Sequence, residues 1–146
     1  MQPAGCVIRK PDAPFVDANP TGTSIMQALL IKGDSARLID QIPETLADGE
    51  LVWLDCLYEQ AREWVEPVQN LTGITVFEDH LLDAENRNHP SYFDSTQTYE
   101  MIVFRGLAVE PEQPAESNTI RARTRPTIFF VMPGCLVTVR PPDSRT

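Results

Sequence analysis

Leu51-Val52-Trp53-Leu54-Asp55-Cys56-Leu57 is the stretch on which the fold turns. A short apolar run with branched and aromatic side chains reads as a strand, and Gly49 behind it supplies the break. Immediately downstream the period changes. Ala61, Trp64, Val65, Val68 and Leu71 fall at i, i+3, i+4, i+7 and i+10, while Glu59, Arg62, Glu63, Glu66 and Gln69 take the other side. That is one apolar stripe of a helix. Pro67 removes a hydrogen bond and clashes with the preceding turn, so it predicts a kink, or two short helices meeting near Glu66. Gly73 is placed to cap the end.

Further along, Thr75 to Glu85 predicts a second helix. Thr75 and Glu78 have capping-box spacing. Phe77, Leu81 and Ala84, with Leu82, are expected to face inward, and Asp79 and Asp83 to share an exposed face. Upstream, Met26 to Ile31 is strand-like, Gly33-Asp34-Ser35 is a turn, and Arg37 to Asp40 returns as a short strand. Residues 1–22 carry Pro3, Pro11, Pro14 and Pro20 and read as a flexible arm. Downstream, Asn86 to Ser91 is a turn and Thr98 to Val109 a strand. Glu110 to Asn118 is an acidic loop, and Thr119 to Arg125 a half-exposed strand near an edge. Thr127 to Met132 and Cys135 to Val139 form a hairpin turning at Pro133-Gly134. Strands, two central helices, then strands predict an α/β (α+β) fold whose late strands are antiparallel.

A length of 146 residues fits one domain. The net charge of −9 argues against a nucleic-acid partner, which needs clustered Lys and Arg. No stretch approaches the roughly 18 apolar residues of a membrane helix, and no secretory signal opens the chain. The chain is therefore expected to be soluble. Cys6, Cys56 and Cys135 are odd in number and widely spaced, which predicts free thiols in a reducing cytosol. His80 and His89 are too few for a His/Cys zinc site.

No enzyme signature is present: neither a nucleophile elbow, nor a phosphate-binding glycine loop, nor a dinucleotide fingerprint. Ser91 and Ser95 near His89 read as polar turn residues. No catalytic residue is expected. The polar feature that stands out is Glu78, Asp79, Asp83 and Glu85. Mg²⁺ takes oxygen ligands and keeps several waters, so Asp79 and Asp83 could hold it. A solvated acidic face near a helix N-terminus explains the same residues more simply.

The order of the elements adds a resemblance. Leu51-Val52-Trp53-Leu54-Asp55 resembles the central strand of CorA-family cytoplasmic domains, and a helix ending at Gly73-Ile74 follows at the family's distance. Phe77-Glu78-Asp79 is similar to the Leu-Glu-Asp opening the family's next helix. Asn88-His89-Pro90-Ser91 stands where the family has Arg-Pro-Lys. Tyr99 to Phe104 resembles its next strand. Thr127 to Val131 with Pro133 to Val139 resembles its closing hairpin, down to Leu136-Val137-Thr138-Val139. The family's His-Pro-Leu before the Glu-Asp pair is missing.

The resemblance implies a mixed, largely antiparallel sheet sandwiched between helices, over residues 23–142, with 143–146 beginning a missing stalk helix. It implies a cytoplasmic regulatory or sensor domain of a magnesium or other divalent cation transporter, at the membrane only through absent C-terminal parts. The metal residues it implies are Asp79, with Glu78 and Asp83 beside it; the partner acid lies on a neighbouring subunit's stalk. Mg²⁺ or a related ion would bind weakly, and none would be needed for folding. The full-length protein would be a homopentamer and this fragment a monomer or weak dimer. The alternative is a stand-alone, non-transporting binding or scaffold module of the same fold.

Overall fold

The computed structural model describes residues 26–108 and 123–142. The expected arm (1–22), acidic loop (110–118), first part of the strand at 119–125 and stalk start (143–146) lie outside the described residues, as does Cys6. In order, the elements are β1 (Gln27–Lys32), β2 (Ser35–Ile39), β3 (Glu50–Leu57), a 3-10 turn (Tyr58–Gln60) and α1 (Val65–Thr72). There follow α2 (Glu78–Glu85), β4 (Tyr92–Ser95), β5 (Glu100–Leu107), β6 (Thr124–Met132) and β7 (Cys135–Arg140).

All seven strands form one sheet in the order β2-β1-β3-β7-β6-β5-β4. Every neighbouring pair is antiparallel except β3 and β7, which run parallel in register Leu54↔Val137. The sheet is mixed and largely antiparallel, as the resemblance implied. The strand that opened the reading is central. Val52, Leu54 and Cys56 alternate inward along it, with no exposed surface. Cys135, Val137 and Val139 of β7 and Ile128 and Phe130 of β6 continue that face. Both helices contribute to the same core, through Trp64 and Val68 and through Leu81 and Ala84. Trp64 stacks on Phe130 with ring centroids 4.8 Å apart.

The sheet's other face is only half-buried. In its middle, Arg140 grips Asp55 at 2.8–3.0 Å through Nε and Nη2. The Thr138 hydroxyl donates to Asp55 Oδ1 at 2.7 Å and accepts from Trp53 Nε1 at 3.1 Å.

Several local expectations shift. Pro67 causes no break because it is the third residue of α1. The first four N–H groups of a helix have no partner inside it, so a missing one there costs little. The two short helices expected to meet near Glu66 do not: the 3-10 turn ends at Gln60, turn residues follow, and α1 begins only at Val65, with Glu66 inside it. Gly73 caps α1 with φ at +72°, and its N–H donates to Gln69 O at 2.8 Å.

The Thr75–Glu78 capping box does not form. The Thr75 hydroxyl accepts from Gln69 and Glu78 is taken by Arg62, so α2 starts at Glu78 with Phe77 as its N-cap. That start rotates Phe77 and Leu82 outward, to 58% and 51% exposed, and turns His80 in beside Leu81 and Ala84. A strand not expected from the sequence, β4, follows the turn at Asn86 to Ser91 and pairs with β5. Thr124 and Arg125 belong to the same strand as Thr127 to Met132. Pro126 is tolerated there because β6 does not meet β7 until Ile128.

Burial raises both core thiols, Cys56 and Cys135, to about 12. Such a group favours the folded state below the unfolded thiol value of roughly 8.5, and that contribution is lost as pH climbs toward 12. Alkylation of the native protein at pH about 8 is expected to spare Cys56 and Cys135 and to modify them once denaturant is added. Peptide mass mapping checks this; modification of either in the native protein would contradict the burial.

Candidate functional site

The acidic residues singled out from the sequence all lie on α2, but their surroundings separate them. Glu78 is held by the Arg62 guanidinium, which donates to its two oxygens at 2.7 and 3.2 Å and through Nε to Glu85. That hydrogen bonding keeps the Glu78 carboxyl below its ordinary range and pushes Arg62 higher. Asp83 is half-buried and faces His89 Nε2 at 3.3 Å. Asp79 is exposed, and its carboxylate makes no hydrogen bond or ion pair among the described residues. No group of three His, Cys, Asp or Glu residues is placed to hold a metal among them. Among the described residues, Asp79 is the α2 carboxylate left without a hydrogen bond or ion pair.

What fixes Asp79 in place is a chain of side chains that sequence reasoning missed. Tyr99 Oη accepts from the Phe77 N–H at 3.0 Å and lies 2.7 Å from His80 Nδ1. On its other side His80 Nε2 lies 3.0 Å from Asp94 Oδ2. His80 is the third residue of α2, so the N3 side chain reaches the N-cap N–H through an interposed phenol. The box that Thr75 was expected to supply is replaced by one that crosses to β4 and β5. A His three residues after Phe77 and four before Ala84 was the available signal.

Beside this chain an open groove of ≈ 720 Å³ is lined by Gly73, Thr75, Phe77, Asp94, Thr96 and Thr98 among others. It holds hydroxyls and one acid already engaged by His80. Its lining is mixed polar and apolar, with Ile74 and Phe77 beside the hydroxyls.

The fold and site together define an α+β domain with one mixed seven-stranded sheet and an exposed acid at the start of its second helix. No family model matches the sequence, and no curated protein does. Solved structures do match. The complete CorA magnesium transporter from Methanocaldococcus jannaschii aligns at 16% identity and a TM-score of 0.54, over 83% of this chain and 33% of that one. The soluble domain of the same transporter aligns at 14% and 0.52, over 80% and 41%. The ZntB cytoplasmic domain from Vibrio parahaemolyticus aligns at 15% and 0.55, over 79% and 43%. The chain therefore has the CorA soluble-domain fold and spans less than half the length of these structures. The motifs behind the resemblance sit on the elements they predicted: β3, the Gly73 cap, the opening of α2, β5 and the β6–β7 hairpin. No helix of the described residues is long and apolar enough to cross a membrane.

Proposed function

We propose that this chain is the cytoplasmic regulatory domain of a CorA-like divalent cation transporter, at the membrane's cytoplasmic face, and is not itself an enzyme. One observation carries the reading: about four-fifths of the chain superposes on transporter soluble domains, two of them solved as isolated domains. Asp79 would supply one carboxylate for Mg²⁺ or a related ion, and a neighbouring subunit the other, in a homopentamer. Such a bridge neutralises two like charges and favours the packing in which they meet; when the ion is scarce that packing loses its advantage. The isolated chain would bind Mg²⁺ weakly, because one or two exposed carboxylates dehydrate it poorly.

The first experiment reads the gene past the codon for Thr146. A continuous frame with a long charged helix and two apolar segments of about 20 residues supports the reading. A stop codon there removes transport and leaves a stand-alone binding module of the same fold. In the full-length protein, Asp79→Asn is expected to weaken inhibition of ion flux by cytoplasmic Mg²⁺, while flux at low Mg²⁺ stays within about twofold. Unchanged inhibition would sink the role given to Asp79.

A further inference from the structure

We propose that the sheet face turned away from the helices is an interface through which two copies of this chain pair, sheet against sheet about a two-fold axis. A sheet with one face in water alternates apolar and polar residues along each strand. Here both faces are apolar. Val52, Leu54 and Cys56 point into the core, yet Trp53 between them, on the other face, is apolar as well. In register with it stand Leu136 and then Val131, and a second row runs Phe129, Ile102, Phe93 over β6, β5 and β4. Both helices pack on the opposite face. Phe93, Phe104 and Val131 are left 57%, 60% and 38% exposed. Contiguous apolar surface of this kind is a contact surface.

Charge selects a second copy as the occupant. Asp55 and Arg140 meet at 2.8 Å on β3 and β7, the third and fourth strands of the sheet, so the pair lies near the middle of the face. Isologous pairing sets the same patch against itself. With the axis through that pair, each Asp55 faces Arg140 of the other copy, and four charges alternate in sign. An unlike partner has to bring its own matched charges or leave this pair desolvated. A second copy carries the match by symmetry. Salt screens much of the repulsion that a net charge of −9 imposes on two copies at a distance.

Size agrees. Strands lie about 4.8 Å apart and rise about 3.3 Å per residue, so seven strands of roughly six residues present about 600 Å² in projection. Side-chain relief raises that toward the roughly 800 Å² per partner of a standard stable interface. Two such faces pack about 10 Å apart with strand directions crossing at about 30°. The inference concerns the sheet and does not rest on the Asp79 reading.

The test is sedimentation equilibrium of residues 1–146 over a range of micromolar concentrations at physiological salt. The expected result is a reversible rise from 16.4 kDa toward twice that mass. Trp64 has no exposed surface, so acrylamide quenching reads the half-buried Trp53, and it should fall as the dimer forms. Phe93→Lys combined with Phe104→Lys should weaken pairing about tenfold or more. Both side chains are already more than half exposed, so the fold tolerates the change. Leu82→Lys, comparably exposed but on α2, should leave pairing within about twofold. A monomer at every concentration overturns the proposal: with Trp53 open to acrylamide the face is bare, and with Trp53 shielded another part of the chain covers it. A dimer weakened by Leu82→Lys and not by the paired phenylalanine changes also overturns it, because the contact then lies on the helix side. So does assembly beyond a dimer.

Discussion

Asp55→Ala is expected to destabilise the domain by roughly 3 kcal/mol or more, the largest effect of any charged residue described here. Asp55 and Arg140 are 11% and 18% exposed, and the guanidinium is held by both carboxylate oxygens. Removing the acid leaves a largely covered cation whose remaining hydrogen bond among the described residues is a weak one, to the Pro141 carbonyl at 3.4 Å. It also strips the Thr138 hydroxyl of its best acceptor, which loosens the Trp53 indole bonded to that hydroxyl. Removing one partner of a buried pair costs more than the pair contributes, because the survivor is desolvated without compensation. The double replacement Asp55→Ala with Arg140→Ala should therefore cost clearly less than the sum of the two single changes. Urea unfolding of the four proteins reads this directly. A single-variant loss below about 1 kcal/mol would show that water reaches the pair freely.

Trp64→Ala should cost about 4 kcal/mol, enough to bring a domain of ordinary stability close to unfolding at ambient temperature. Trp64 has no exposed surface and packs on Phe130, so truncation opens a cavity between helix layer and sheet that the strands cannot collapse to fill. Trp64→Phe is the informative companion. Among the described residues the buried indole Nε1–H has no hydrogen-bond partner. An apolar ring removes that unsatisfied donor while keeping most of the contact area, so its cost should stay below about 1.5 kcal/mol. Thermal unfolding that ranks phenylalanine no better than alanine would mean that the indole has an unrecognised partner.

Short-range pattern carried much of the architecture. The seven residues from Leu51 form a central strand because their alternate side chains fill one face without a gap. The stripe from Ala61 to Leu71 does face the core, with Ala61, Trp64 and Val68 buried, although only Val65 onward is helical and Ala61 and Trp64 sit in the turn before it. Pro133 and Gly134 turn the last hairpin, Gly134 at φ +73°, a conformation that glycine reaches without a side-chain penalty. Each is a consequence of residues within a few positions of one another.

Contacts between distant residues were not legible. Whether Thr75 or Phe77 caps α2 depended on Arg62 claiming Glu78 and on Tyr99 arriving from β5, neither of which local spacing contains. β4 was missed because Tyr92 to Ser95 is short and largely exposed, and becomes a strand only by pairing with β5. The acids of α2 show the same division. Their spacing put them on one helix, but what each can do is set by partners: Arg62 occupies Glu78, His89 meets Asp83, and only Asp79 stands open.

The sequence by itself determined six of the seven strands, the presence of both helices and the order of motifs that pointed to the CorA soluble-domain fold, because periodicity and turn chemistry act over a few residues. The parallel meeting of β3 with β7, the Asp55–Arg140 lock it creates, the inward turn of His80 and the His89–Asp83 juxtaposition were decided only by the tertiary structure. Each joins groups whose encounter depends on how whole elements pack.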